Sequence, residues 1–324
     1  FHARSSVKLG LISPTEEGSY KPFDAVQCAI EPAGHAAIYQ KLQEILEKPY
    51  AKPLAEALSY VIIKGSYAEF ALILNVREAT PEVVKATNTL SKSLTHFFKE
   101  IVGLFLYEDQ SDGRYYLGSS AGRRAAFRKV FGKAEVYQRI CGRSFLYSPL
   151  SFSQVNLSIV ESFVTTAGDL LNLSGQTRFI DLYCGYGLFA LCLSNRVRST
   201  IGIENSADSI QAAIDNALRQ RVSNVRFIRG AVTPETLQHA MKSSWGYDAV
   251  LLDPPRNGTA EGVIESIATW KPQRVLHIFC NIDIMPAELK RWSKCGYTIA
   301  KAVPFDMFPG TPTIEMMVLL NQQL

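Results

Sequence analysis

The sequence offers little from which a disulfide scaffold or a metal centre could be built. Its 324 residues include six cysteines, at positions 28, 141, 184, 192, 280 and 295, irregularly spaced and never as a C-x-x-C pair. That excludes a disulfide framework and fits a reducing, cytoplasmic setting. The five histidines are scattered, with no metal-ligand spacing. No apolar run approaches the roughly 18–20 residues that cross a bilayer, the longest being broken at Lys64 or Glu69. Internal repeats and low-complexity segments are missing too. Charge of one sign is nearly balanced, 34 Lys and Arg against 30 Asp and Glu, so the net charge of +4 permits an acidic partner without demanding one. What is present, 47% hydrophobic and 20% charged residues, is the profile of a soluble globular protein. The length suits two ordinary domains, and a monomer is expected. Phe1 is not a natural start residue, so the chain reads as a processed or trimmed form.

The two halves differ in rhythm. Residues 1–145 mix short strand and helix patterns and read as an α+β domain. Weak alternation over 5–12 suggests a strand, and 36–46 has helical periodicity. Apolar runs at 61–64 and 70–76, separated by Gly65-Ser66, suggest a hairpin. Pro81 opens a long amphipathic pattern through Val83, Val84, Leu90, Leu94, Phe97 and Phe98. Strands are expected again at 101–107 and 115–117. Arg123, Arg124, Arg128, Lys129 and Lys133 crowd together beyond them. Such a cluster is either a solvated helix face or a surface that neutralises nucleic-acid phosphates.

Residues 146–324 are more regular. Strand patterns at 178–184, 199–204, 225–229, 248–253 and 274–280 alternate with helical patterns at 188–195, 206–220, 234–241, 262–270 and 287–294. This alternation predicts a parallel, doubly wound α/β sheet. Two last strands, 297–304 and 313–321, would add an antiparallel edge.

The first of these strands runs into Asp181-Leu-Tyr-Cys-Gly-Tyr-Gly187, and the second ends at Glu204. Ligands of open α/β sheets bind beyond the carboxyl ends of the strands. Gly185 and Gly187 let backbone approach a ligand there, and the following helix offers free N–H groups. Two glycines alone also fit a dinucleotide site, but its third glycine is missing. Asp181 favours an amino-bearing or cationic ligand over a pyrophosphate. Glu204 is placed to accept ribose hydroxyls. Together these features indicate S-adenosylmethionine. Two more strands end in reactive-looking groups. Asp253-Pro-Pro-Arg256-Asn-Gly258 is a loop stiffened by adjacent prolines, either a structural turn or a site edge. Phe279-Cys280-Asn281 puts a thiol on the same rim, either inert packing or a reacting group. Cys184, inside the cofactor turn, reads as packing.

Asp253-Pro-Pro-Arg256, Phe279-Cys280-Asn281, and Phe305-Asp-Met-Phe-Pro309 followed by Glu315 resemble the RNA (uracil-5-)-methyltransferases that make 5-methyluridine in ribosomal or transfer RNA. Ser151-Phe-Ser-Gln-Val-Asn156 is similar to their F-x-Q-x-N segment. The resemblance covers nearly the whole chain. It implies a class I, Rossmann-like S-adenosylmethionine methyltransferase domain at 146–324 and a substrate-binding α+β domain at 1–145. It implies an RNA partner, 23S ribosomal RNA ahead of transfer RNA. By the same likeness Cys280 is the nucleophile on uracil carbon 6 and Glu315 the base that takes the carbon 5 proton. Gln154, Asp181, Tyr183, Gly185, Gly187, Glu204 and Asp253 would hold the methyl donor. Phe152, Arg256, Arg123, Arg124 and Arg128 would meet the RNA. From the residues alone, Glu315 is either a solvent-facing strand carboxylate or a buried one, as the apolar run after it suggests.

The match departs in three places. The family's loop before the base commonly reads P-H-T-x-H-x-E, whereas this chain has Pro309-Gly-Thr-Pro-Thr-Ile-Glu315, without histidine. Arg229-Gly230-Ala231 lacks the acid that many relatives carry after the glycine. Cys28 sits where a fourth iron–sulfur ligand stands in some relatives, and a cluster normally needs four. It is either a remnant or a ligand whose partners lie before residue 1. An N-terminal RNA-binding barrel of some relatives is not expected in this stretch. Two other readings compete: an amino-methyltransferase that uses Asp253-Pro-Pro-Arg256 without a nucleophilic cysteine, and a non-catalytic RNA-binding or assembly factor.

Overall fold

A computed structural model of the chain describes residues 2–3, 6–7, 9–14, 20–24, 31–109, 117, 126–241 and 247–323. The chain forms two compact units, Phe1–Tyr137 and Gln138–Leu324. Sequence rhythm puts the division at 145/146. The strand Arg143–Tyr147 packs within the second unit, which moves the line earlier.

The first unit centres on a four-stranded sheet, in the order Leu58–Gly65, Phe70–Val76, Ile101–Glu108 and Ala126–Gly132. The first two strands form the expected antiparallel hairpin. Ser66 closes its loop, its hydroxyl accepting the N–H groups of Ala68 and Glu69 at 3.2 and 3.1 Å. The middle two strands run parallel, which needs a crossover, and the helix Pro81–Phe97 supplies it. Thr80 caps that helix through Val83 N at 3.3 Å, and Pro81 sits in the first turn, where no N–H is needed. The helix buries Val83, Ala86, Leu90 and Leu94 against Leu72, Leu74, Leu104 and Leu106 of the sheet. Short ribbons pair Gly10–Pro14 with Tyr20–Asp24 and His2–Ala3 with Ser6–Val7.

Two expectations change here. The partner of Ile101–Glu108 is Ala126–Gly132, not a strand at 115–117, of which only Leu117 is described and lies in a turn. Arg128 and Lys129 of the basic cluster therefore lie on a strand, not on a helix face. Arg128 and Lys129 are neighbours on an exposed outer strand and point to opposite sides of it. Charges on an outer strand also discourage edge-to-edge pairing. Lys133 is bound to Glu69 at 2.7 Å. Arg123, Arg124 and Cys28 lie outside the described residues.

The second unit holds a seven-stranded sheet. Its strands are β1 (Arg178–Leu182), β2 (Ser199–Glu204), β3 (Val225–Arg229), β4 (Ala249–Leu252), β5 (Arg274–Phe279), β6 (Tyr297–Phe305) and β7 (Glu315–Gln322). The order is β3-β2-β1-β4-β5-β7-β6, with β1 to β5 parallel and β7 antiparallel to both its neighbours. Six helices accompany it: α1 (Val160–Leu170), α2 (Leu188–Cys192), α3 (Ala207–Arg219), α4 (Pro234–Met241), α5 (Val263–Thr269) and α6 (Met285–Lys294). Strands β1, β4 and β5 are buried almost throughout because both faces are covered. Ile180, Leu182, Val250, Leu252, Val275 and Phe279 form the centre of one face, with Val263, Ile264, Ile267 and Trp292 packed over them. The order reverses between β1 and β4, the switch point where such sheets bind ligands. No helix among the described residues is long and apolar enough to cross a membrane.

Candidate functional site

The turn after β1 is held in one shape by positive backbone angles. Tyr183, Gly185 and Gly187 have φ of 65°, 54° and 87°. A side chain at Gly187 would meet Phe227 Cζ at 3.0 Å, so only glycine fits there. Nothing lies within 4 Å of where a Cβ of Gly185 would sit, which leaves that backbone open to a ligand. The turn rests on an aromatic wedge. Tyr186 stacks on Tyr147 with centroids 4.4 Å apart and meets Phe145 edge-on at 5.5 Å. The strand Arg143–Tyr147 is itself docked on α3, where Asn216 accepts Leu146 N at 2.9 Å and donates to Leu146 O at 3.0 Å.

Asp181 is buried at the end of β1. Its Oδ2 accepts the N–H of Ala190, near the start of α2, at 2.9 Å. Its Oδ1 is buried with no hydrogen-bond partner among the described residues. Burial pushes the carboxyl up to about 8, with Glu204 adding to the rise and the Ala190 N–H opposing it. Glu204 closes β2. Its Oε2 accepts Gly185 N at 3.1 Å and its Oε1 accepts Ser206 N at 2.7 Å. Those bonds fix the carboxylate and leave lone pairs for a diol. Tyr183 turns away from this side. Its ring packs on the hydrophobic core, and burial, reinforced by Glu288, pushes its hydroxyl up to about 12.

The opposite wall is set by register. Phe279 of β5 lies opposite Met316 of β7, and the strands are antiparallel. Cys280 and Glu315, each one step outward, therefore sit side by side. Leu182 of β1 pairs with Leu252 of β4, which brings Asp253 to the same rim. Burial pushes Asp253 well above the carboxylate range, with Glu315 and Asp181 adding to the shift. Glu315 is buried, its Oε2 has no partner among the described residues, and burial alone pushes it up to about 7. The sequence left open whether this carboxyl faces solvent, and it does not. The Cys280 thiol donates to Pro254 O at 3.7 Å. It is pushed up to about 11, by burial first and then by Asp253 and Glu315, with Arg256 opposing. Carboxyls forced together out of water suit a cationic ligand, which S-adenosylmethionine is. Gln154 is buried, whereas Phe152 is 66% exposed and Arg256 is exposed.

Arg128 belongs to the first unit. There it lines a surface groove of about 610 Å³ with Lys85, Asn88, Thr89 and Lys92. Among the described residues no group of three or more His, Cys, Asp or Glu could hold a metal ion. Further contacts support this rim. Asn281 Nδ2 donates to Arg256 O at 3.1 Å, tying the β5 end to the loop after β4. Behind that loop His277, Glu288 and Thr259 form a buried polar group. The available signal was a lone histidine in the apolar run Arg274–Phe279, facing a helix with Glu288, Arg291 and Trp292 on one side.

Comparison with known proteins gives a consistent picture. The sequence profile of the family described as tRNA (Uracil-5-)-methyltransferase matches residues 116–323. The chain is 28% identical over 283 residues to an uncharacterized RNA methyltransferase of Streptococcus pyogenes serotype M18, covering 85% of this chain and 58% of that one. It is 35% identical over 190 residues to the 23S rRNA (uracil(1939)-C(5))-methyltransferase RlmD of Pectobacterium atrosepticum, covering 59% of this chain and 42% of the relative. The chain thus spans about half the length of the curated relatives it matches. Among solved structures, the tRNA (uracil-54, C5)-methyltransferase of Pyrococcus abyssi in complex with S-adenosyl-L-homocysteine superposes with a TM-score of 0.68 at 21% identity, over 93% of this chain and 70% of that one. That likeness establishes the fold, a Rossmann-like methyltransferase sheet.

Proposed function

Because the chain belongs to the tRNA (uracil-5-)-methyltransferase family, we propose that it methylates carbon 5 of a uridine in RNA, with 23S ribosomal RNA preferred over transfer RNA. The observation that carries the reading is the pairing of Cys280, across β5 and β7, with a buried Glu315 whose Oε2 has no hydrogen-bond partner among the described residues, beside Asp253. The rRNA preference is supported by the RlmD relatives, which are 23S rRNA (uracil(1939)-C(5))-methyltransferases.

Asp181, Glu204, Gln154 and the open backbone at Gly185 would hold S-adenosylmethionine, and the unpartnered Oδ1 of Asp181 fits an amino-bearing ligand. When bound, that cofactor supplies an electrophilic methyl group on a positively charged sulfur. Carbon 5 of uracil is a poor nucleophile until a thiolate adds to carbon 6. Cys280 forms the sulfur–carbon 6 bond, and the electron pair of the carbon 5–carbon 6 double bond moves toward the carbon 4 oxygen. Carbon 5 of that enolate takes the methyl group. Glu315 then removes the carbon 5 proton, the double bond re-forms, and the Cys280 thiolate leaves. Burial first, and then Asp253 and Glu315, disfavour a free thiolate at Cys280; positive charge brought beside those carboxyls relieves their part of the penalty. Phe152, exposed at the start of the unit, is offered to a base, and Arg256 to the RNA. The target base has to be unpaired or flipped to reach the thiol.

The test is a covalent trap. Incubated with S-adenosylmethionine and RNA containing 5-fluorouridine, the protein forms an adduct stable on a denaturing gel, because fluorine cannot leave as a proton. Cys280→Ala abolishes the adduct and the methylation of ordinary RNA. Methylation that survives in Cys280→Ala identifies an amino-methyltransferase instead. RNA binding without adduct or methyl transfer identifies a non-catalytic factor.

A further inference from the structure

The loop that follows β4 is held from behind by a buried side chain of α6. Glu288, on α6, is buried. Its Oε1 accepts both the backbone N–H and the hydroxyl of Thr259, at 2.9 and 2.6 Å. Its Oε2 lies 3.2 Å from His277 Nε2, close but off the line of a straight hydrogen bond. Trp292 donates its indole N–H to His277 Nδ1 at 3.1 Å. An indole nitrogen only donates, so His277 must carry its proton on Nε2, facing Glu288. Arg291 completes the group, with Nη1 3.7 Å from Glu288 Oε1 and 3.3 Å from the Thr259 hydroxyl. The packing leaves no slack, since a Cβ on Gly258 would meet Glu288 Oε1 at 2.9 Å.

On the reading just given, we propose that Glu288 is a positioning residue for methylation. It pins loop 253–259 to the helix that follows Cys280, and so fixes the Pro254 carbonyl and Arg256 around the thiol. Contacts tie that loop both to the reacting end of β5 and to α6. Cys280 donates to Pro254 O, Asn281 donates to Arg256 O, and Thr259 is gripped by Glu288. The first two are single contacts, one of them a weak thiol bond. Asp253 itself is anchored separately, its N–H donating to Leu182 O at 3.3 Å. Loosening Thr259 therefore shifts the distal part of the loop while the cofactor side stays in place. Burial works against the charge on Glu288, but the polar groups of His277 and Thr259 beside it outweigh burial and hold the carboxyl below its ordinary range.

The test compares Thr259→Val and Thr259→Ser with the unaltered protein, by the rate of adduct formation on 5-fluorouridine RNA and by the KM for S-adenosylmethionine. Thr259→Val, nearly the same shape without the hydroxyl, slows adduct formation about tenfold, the scale of a modest misplacement of reacting groups. The KM stays within about twofold, and Thr259→Ser restores the rate. Nitrogen NMR finds neutral His277 protonated on Nε2. The inference is overturned if Thr259→Val forms adduct at the unaltered rate, if rate and KM deteriorate together in step with thermal stability, or if His277 carries its proton on Nδ1. No adduct even from the unaltered protein overturns the methylation reading itself, and this inference with it. Glu288→Gln sets an amide N–H against the His277 Nε2–H. It slows the reaction further if it folds, and the threonine pair decides the matter either way.

Discussion

With Asp181 as the proposed contact for the methyl donor, binding is expected to depend on pH. Its carboxyl is buried at the end of β1, satisfied on one oxygen by Ala190 N–H and bare on the other, and burial pushes it up to about 8. An amino-bearing, cationic ligand needs it ionised. A group with a pKa of about 8 is only about one-tenth ionised at neutral pH. Binding near pH 7 must therefore expel close to one proton, at a cost of about 1.4 kcal/mol, or about tenfold in affinity. The sign follows directly. Kd for S-adenosylmethionine improves about tenfold as pH rises from about 7 to about 9, then levels off. Titration calorimetry in buffers of different ionisation enthalpy counts the released proton. S-adenosylhomocysteine, which keeps the ammonium but lacks the sulfonium, shows the same dependence if Asp181 faces the ammonium. In Asp181→Asn the dependence disappears and binding weakens, while the amide oxygen still accepts Ala190 N–H. A Kd flat across this range, with no proton released, would refute the argument. The same shift has a consequence for the free protein. A carboxyl raised by folding binds its proton more tightly in the folded state, so this group's contribution to stability is lost as pH rises from about 4 to about 8.

Two further outcomes bear on other parts of the molecule. Glu315→Gln leaves methylated RNA attached to Cys280 on ordinary uridine substrate and lowers turnover by about 10²–10⁴. In the unaltered protein the rate rises with pH through about 7, because Glu315 must be unprotonated to accept the carbon 5 proton. A denaturing gel without adduct for Glu315→Gln, or a flat pH–rate limb, removes Glu315 from that role. Gly202→Ala on β2 would place a Cβ 2.6 Å from Phe227 Cδ1 and 2.8 Å from Cys184 Sγ. It should cost about 1–3 kcal/mol, read as a lower urea midpoint, and an unchanged midpoint would show that the sheet gives way more easily than its packing implies.

The second unit was legible because each of its signals is local. A buried strand is a short apolar run, a glycine turn follows it, and an amphipathic helix comes next, so β1 to β5 fell within a residue or two of where the pattern put them. Residues at strand ends could be named for the same reason, since parallel strands all deliver their ends to one rim. The first unit was harder. Arg128 and Lys129 sit on a half-exposed outer strand, and a charged, aromatic stretch of that kind has neither helical nor strictly alternating periodicity. The clasp around Glu288 was invisible for a different reason. Its members come from a strand, a loop and a helix separated in sequence, and only tertiary packing gives His277 and Thr259 a common partner. The aromatic wedge of Tyr147 and Tyr186 joins segments still further apart.

The histidine-free loop before Glu315 can be judged against that carboxyl's surroundings. Residues 309–314 offer Pro-Gly-Thr-Pro-Thr-Ile where the family commonly places two histidines. The loop is closed on itself. Thr311 N and its hydroxyl both donate to Phe308 O, at 3.1 and 2.8 Å, and Thr313 N donates to the Thr311 hydroxyl at 3.2 Å. Those threonines are spent on the turn, and no side chain among the described residues hydrogen-bonds Glu315 Oε2. A histidine near the carboxyl would pull its pKa down when charged or share its proton when neutral. With neither present, burial alone brings Glu315 to about 7, the value that suits a general base at neutral pH. On the proposed mechanism, the altered loop therefore changes how the base is tuned without removing what tunes it. It also makes the reaction sensitive to water. Anything that opens the β6–β7 end and hydrates Glu315 returns the carboxyl toward its ordinary value and weakens it as a base. Proton removal is then the step most exposed to changes in this loop, and formation of the Cys280 adduct the least.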